Sequence, residues 1–298
     1  MTRITESRVL NASVGPVLDI AISPDGSRIA SAHDGGSIGL WDAETGRKTK
    51  EIAAHELQAS AVCFSPDGRT LSTGGADYKV KLWGMPDLSI QKTYQDHEDT
   101  IIAIEFSPDG KTLVSTGGYQ VKLRNLQSDK IVRDVSTGDH AVAFSPDGSL
   151  LALPAGPAKY SINVWDGNAT RIHHELIGHE NLINDFVFSP NGTFLASVDS
   201  DHIIKLWDTK RGSLIRSLTK PKHFACSVAI SSDGKTLASG SRINYFGITL
   251  WDIKSGDAKM ELQGHTELIG SVAFAPDGKT LVSASLDGTV RLWTLPTN

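Results

Sequence analysis

Short stretches in which apolar and polar positions alternate run through this chain from end to end. In the last of them Val290 and Leu292 alternate with Thr289, Arg291 and Trp293, the period-two pattern of a strand with two distinct faces. Ahead of it come Leu268 to Phe274 and Lys279 to Ser285, set apart by the turns Ala275-Pro276-Asp277-Gly278 and Leu286-Asp287-Gly288. In such a turn Pro presets φ, Asp bonds its local backbone and Gly takes the left-handed position. Two antiparallel strands are thereby joined in a short hairpin. A further strand is predicted after each Trp, as at Ala258 to Leu262 after Trp251. The predicted unit is a four-stranded sheet.

The unit recurs. Ser-Pro-Asp-Gly or a near copy begins at Ser23, Ser65, Ser107, Ser145, Ser189, Ser231 and Ala275, at intervals of 42, 42, 38, 44, 42 and 44 residues. A second mark falls at Trp41, Trp83, Arg124, Trp165, Trp207, Trp251 and Trp293, so that all six tryptophans share one slot and Arg124 fills the seventh. A period of 40 to 45 residues of this kind predicts a β-propeller. A single sheet cannot bury both of its apolar faces, whereas blades stacked radially bury each against the next. The expectation is an all-β, seven-bladed propeller spanning residues 1–298 as one domain. The last blade lacks room for a fourth strand after Leu292-Trp293-Thr294-Leu295-Pro296, so the segment from about Ile4 to Asn11 is predicted to supply it and close the ring.

These residues resemble the WD-repeat (WD40) β-propeller family over the whole chain. The resemblance is carried by Ala54-His55, Asp96-His97, Gly178-His179 and Gly264-His265 at the starts of repeats. At their ends stand Trp41-Asp42, Trp165-Asp166, Trp207-Asp208 and Trp251-Asp252. The resemblance implies buried tetrads of Trp, Ser or Thr, His and Asp, complete here as Thr73, His55, Asp77, Trp83; as Ser197, His179, Asp201, Trp207; and as Ser283, His265, Asp287, Trp293. An indole N–H needs an acceptor when buried, and the hydroxyl and imidazole pass the chain of bonds to the carboxylate. Three copies at equivalent positions argue for a structural role and against a hydrolase triad, which needs one site.

Composition narrows the function. The formal charge is −5, from 29 basic and 34 acidic residues, which argues against a general nucleic-acid binder. The first residues contain no uninterrupted apolar stretch of a signal peptide. The two cysteines, Cys63 and Cys226, fall in repeats that lie apart around a ring, so a reducing compartment, the cytoplasm, is expected. His173-His174-Glu175 approaches a metalloprotease motif, but His174 to His179 is five residues where that helical motif needs four. No metal, cofactor or catalytic cluster is expected. Glu98, Asp99 and Glu105 read as loop and surface charge, and Arg47 to Lys50 as a solvated strand.

Departures from the repeat locate a candidate site. The turn-to-Trp interval is 18 residues in four repeats but 20 in the fourth and sixth, through Pro154 to Tyr160 and Arg242 to Phe246. Both stretches lack the tetrad Asp and carry aromatics. Seven residues before each turn stand Pro16, Gln58, Thr100, Gly138, Leu182, Phe224 and Leu268, and five before it Leu18, Ser60, Ile102, His140, Asn184, Cys226 and Gly270. None is charged, as expected of an interface core. The expected partner is a protein or peptide docking on Leu182, Phe224, Tyr245, Phe246, Leu268 and Tyr160, with Lys220 and Lys222 near Phe224. The expected chain is a non-enzymatic interaction scaffold, favoured as a monomer and without membrane contact. The alternatives are a propeller that binds nucleic acid or a ribonucleoprotein, and an enzyme that uses the central channel.

Overall fold

The repeated turn is locked by its own side chains. Ser23 Oγ donates to Asp25 Oδ1 at 2.5 Å and accepts the Arg28 N–H at 2.9 Å, while the Gly26 N–H reaches Ser23 O at 2.8 Å. Gly26 sits at φ +72°, where a side chain would be strained. The set recurs at Ser65, Ser107, Ser145 and Ser231, and with Asn191 as acceptor at Ser189.

The computed structural model describes residues 2–4, 8–12, 15–138, 140–156, 160–219, 224–242 and 246–296. Their strands form seven sheets, each built on four antiparallel strands, one of which gains a fifth strand at its edge. Blade one runs outward as Val17–Ile22, Arg28–His33, Ser37–Asp42 and Lys48–Ala53. Blades two to six repeat it, with the innermost strand shortened to Ala103–Phe106 in blade three and Ala143–Phe144 in blade four. Blade seven consists of Ile269–Phe274, Thr280–Ser285 and Thr289–Thr294, and its outer strand is Arg8–Asn11, with Arg8 opposite Leu292 and Asn11 opposite Thr289. The predicted closure is therefore present. The expected single strand from Ile4 is corrected in one respect: Thr2–Ile4 instead runs parallel to Ala258–Gln263 as a fifth strand on blade six.

Packing follows the ring. The buried apolar residues fall into seven clusters, each drawn mainly from two adjacent blades. The cluster that closes the circle joins Leu10, Val282, Val290 and Leu292 of blade seven to Val17, Ile20, Ile29 and Trp41 of blade one. Trp207, Trp251 and Trp293 are almost wholly buried, each worth about 1.5–3 kcal/mol of burial. On the face of the Ser-Pro-Asp-Gly turns, each turn leans on the one before. A Cβ at Gly26 would lie 3.5 Å from Pro276 Cδ, and one at Gly68 3.7 Å from Pro24 Cδ.

Candidate functional site

The opposite face is built by the loops that lead into the innermost strands and by the turns between second and third strands. The two are tied together by main chain. The carbonyls of Pro16, Gln58, Leu182, Phe224 and Leu268 accept the N–H groups of Asp34, Ala76, Ser200, Arg242 and Leu286 at 2.8 to 3.0 Å. These five acceptors all belong to the series seven residues before the turn. A loop whose backbone is bonded in this way holds its side chains in place.

Side-chain networks fix the same loops from beneath. Trp83 Nε1 donates to Thr73 Oγ1 at 2.9 Å, Thr73 Oγ1 lies 2.9 Å from His55 Nε2, and His55 Nδ1 lies 2.8 Å from Asp77 Oδ1. Trp293, Ser283, His265 and Asp287 repeat the arrangement at 2.8 to 2.9 Å. Burial lowers the pKa of both His55 and His265, with the partner carboxylates pulling the other way. The neutral ring, donating from Nδ1 and accepting at Nε2, suits both bonds.

Blade five departs from the expected set. His179 Nδ1 meets Asp199 Oδ2 at 2.6 Å, not Asp201, whose carboxylate accepts from Asn181 Nδ2 at 3.1 Å near solvent. The reason is strand alternation: residues two apart share a face, so Asp199 points the same way as Ser197 and reaches the ring first. Blade one uses the same position differently. His33, two residues after Ser31, places Nε2 2.9 Å from Ser31 Oγ, which also accepts Trp41 Nε1 at 2.8 Å. Burial holds His33 down to about 4. In blade four Leu153 stands opposite Asn163 in the hydroxyl slot, and the Trp165 indole N–H has no partner.

The series five residues before the turn converges on the axis. Leu18, Ser60, Ile102, His140, Asn184, Cys226 and Gly270 all line one central cavity of ≈ 250 Å³. Three carboxyl groups share it. Asp19 Oδ2 accepts the Val62 N–H at 3.0 Å, Glu105 Oε2 the Phe144 N–H at 3.0 Å and Asp185 Oδ2 the Val228 N–H at 2.8 Å. Each therefore staples its own blade to the next, at the junctions one–two, three–four and five–six, by satisfying a donor on an otherwise open strand edge. Glu105, expected at the surface, lies in this channel wall, because its strand turns that side inward. Burial pushes Asp19 up to about 6, Asp185 to about 7 and Glu105 to about 8. Repulsion from Asp19 adds to the shift of Asp185, and repulsion from Asp185 to that of Glu105.

Of the sequence-predicted contact residues, Leu182, Phe224, Phe246, Leu268 and Tyr160 stand on the loops and turns of this face. Leu182 is 41% exposed and Tyr160 is 42% exposed. Phe224, Phe246 and Leu268 are half-buried, with Phe224 held edge-on against His202 at 4.9 Å between ring centres. Tyr245, Lys220 and Lys222 lie outside the described residues. His174 Nε2 faces the Lys210 carbonyl at 3.1 Å on an outer strand. Among the described residues no group of three His, Cys, Asp or Glu side chains is placed to hold a metal ion. Cys63 and Cys226 are free thiols pushed up to about 12 by burial.

Comparison with known proteins agrees with this architecture. Residues 16–242 match the family model described as IFT122 first beta-propeller, and residues 256–294 the one described as WD domain, G-beta repeat. The chain is 30% identical over 138 residues to human WD repeat-containing protein 36, covering 45% of this chain and 15% of that protein. It is 33% identical over 82 residues to nuclear distribution protein nudF 2 of Talaromyces marneffei, covering 27% and 18%. An uncharacterized WD repeat-containing protein of Synechocystis is 29% identical over 132 residues, covering 43% and 37%. The matched stretches thus span well under half the length of these relatives. With seven four-stranded blades, the Trp slot and a family model matched over most of its length, the chain belongs to the WD-repeat β-propeller family.

Proposed function

We propose that this chain is a non-enzymatic protein-interaction scaffold that docks a protein or peptide partner on the loop face. The observation that carries the reading is the pairing of rigidity with uncharged exposure. Five loops are anchored by main-chain bonds, and they offer uncharged side chains such as Leu182 and Phe224 at the rim. Such pre-organisation lowers the ordering cost of association. Leu182, Phe224, Phe246, Leu268 and Tyr160 contact the partner, joined by Tyr245, while the tetrads hold the loops beneath them. Propellers of this family generally serve as protein-interaction scaffolds, which supports the same reading. Residues 1–298 act as one domain, and two unpaired cysteines suit the reducing cytoplasm.

The test is affinity capture from native extract with wild type and Leu182→Ala/Phe224→Ala side by side. The expected result is one specific protein retained by wild type and lost by the variant, with both melting alike. Unchanged capture moves the site off this rim. Salt-sensitive recovery of nucleic acid in place of protein favours the nucleic-acid reading.

A further inference from the structure

The turns between second and third strands carry a conformational anomaly on three blades, with His202 at φ +65° in blade five and tyrosines on the adjacent blades two and three. The last residue of these turns adopts positive φ, and in blades one and seven it is Gly36 at +79° and Gly288 at +78°. Blades two and three place Tyr78 at +64° and Tyr119 at +61° in that role. A bulky side chain is disfavoured there and glycine is not. Such strain is kept where the surrounding structure over-determines it, and it concentrates at functional sites. Both rings face outward, Tyr78 42% and Tyr119 52% exposed, beside Leu57 at 59%.

The three side chains belong to one arc of the loop face. Leu57 borders the turn of blade one, since a Cβ at Gly36 would meet its carbonyl. The turn bearing Tyr78 is bonded to the same loop through Ala76 N–H and Gln58 O at 2.8 Å. The next loop, Glu98-Asp99-Thr100, lies between the two tyrosine turns. Its Ile101 N–H reaches Gly75 O at 3.2 Å, and a Cβ at Gly118 would lie 2.8 Å from Asp99 Cβ. The charge of the arc is lopsided. Asp34, Glu56, Glu98 and Asp99 are exposed there, Asp77 being taken up in its buried tetrad, and they stand against Lys79, which pairs with Glu56 at 2.8 Å, and Lys81, which also acts on the Glu56 charge.

We infer that this acidic, tyrosine-bearing arc of blades two and three is the docking site for a basic segment of a protein partner, a stretch bearing Arg or Lys. The inference rests on the protein-docking reading above and deepens it by fixing the partner's charge and the blades engaged. Tyrosine faces attract guanidinium and ammonium groups within about 6 Å of the ring centre. Carboxylates beside them pair with the same cations and steer their approach. A polyanion would meet repulsion across the same arc.

The probe is a fluorescein-labelled peptide of alternating arginine and glycine, with alternating glutamate and glycine as its counterpart. Binding is read by fluorescence anisotropy on the full chain. Wild type binds the arginine peptide saturably, with affinity that weakens as salt rises, and does not bind the glutamate peptide. Tyr78→Gly/Tyr119→Gly melts at or above wild type, because glycine takes the left-handed turn without strain, yet binds at least about ten-fold more weakly. Glu98→Gln/Asp99→Asn also weakens binding and flattens its salt dependence. Affinity within two-fold of wild type in the tyrosine variant overturns the proposal, as does equal binding of both peptides or none of the arginine peptide. The docking reading itself stands or falls separately, on capture with Leu182→Ala/Phe224→Ala.

Discussion

The guanidinium of Arg124 lies 4.0 Å from the centre of the Tyr94 ring. It pairs with Asp96 and donates to the Asp129 carbonyl at 2.7 Å. An arginine thus occupies the slot that holds tryptophan in the other six blades. A planar, weakly hydrated cation can do so because it stacks on an aromatic face while its edge meets carboxylates. Removing it leaves Asp96 without this partner and bares the Tyr94 ring. Arg124→Ala is expected to cost about 1–3 kcal/mol in denaturant unfolding, and Arg124→Lys most of that, since an ammonium cannot stack. A loss below about 0.5 kcal/mol would show that the slot tolerates emptiness.

The network of blade five gives a paired prediction. Asp199 is fully buried against His179 and also accepts the Ile203 N–H at 2.9 Å, whereas Asp201 is exposed. Asp199→Ala should cost about 2–4 kcal/mol by stranding buried donors, and Asp201→Ala under about 0.5 kcal/mol. The reverse order would restore Asp201 to the network.

The channel carboxyls predict a slope of stability with pH. Their folded pKa values, about 6 for Asp19, 7 for Asp185 and 8 for Glu105, exceed ordinary carboxyl values near 4. The folded state therefore binds the extra protons. Their contribution is complete below about pH 4 and is lost as pH rises through the folded values, of order 1–2 kcal/mol for each of these half-buried carboxyls. Asp19→Asn/Glu105→Gln/Asp185→Asn keeps an acceptor for each N–H and should flatten the decline between pH 5 and 8. An unchanged slope in urea unfolding across that window would remove these groups as its source.

Closure of the ring predicts a graded response to truncation. Loss of residues 1–7 removes the strand Thr2–Ile4 from blade six and should lower the Tm slightly. Loss of residues 1–12 also takes Arg8–Asn11 and the buried Leu10 out of blade seven. A further fall of roughly 10 °C is expected by calorimetry. Equal melting of the two truncated chains would place the closing bond elsewhere.

The fold was legible because each repeat states it again: turn, alternation and Trp slot vary independently, and their coincidence leaves one architecture. Counting alone picked out Leu18, Ser60 and their five equivalents as one uncharged series at the entries of the innermost strands, and the structure places that series on the axis. The acids of the channel did not, since Asp19 and Asp185 interrupt apolar inner strands in only two repeats and Glu105 resembles loop charge beside Glu98. The signal was a carboxyl inside an inner strand, between apolar neighbours for Asp19 and Glu105 and between Asn184 and Phe186 for Asp185. Asp199 and His33 were hidden because family spacing draws the eye to the loop Asp, while the Ser-x-Asp and Ser-x-His of the second strand place a group on the same face. Tyr78 and Tyr119 reveal their strain only when aligned with Gly36 and Gly288, a comparison between repeats and not along one.

The outer strand of blade seven joins residues about 280 positions apart, Val9 beside Arg291. On the ribosome the early segment must therefore wait, unpaired, while the rest of the circle is made, for roughly fifteen seconds to a minute at ordinary elongation rates. Until then the first and last blades both present an open flank to whatever is nearby. A nascent chain of this kind is most vulnerable at its beginning, and a chaperone that shelters that one short strand would guard the whole assembly.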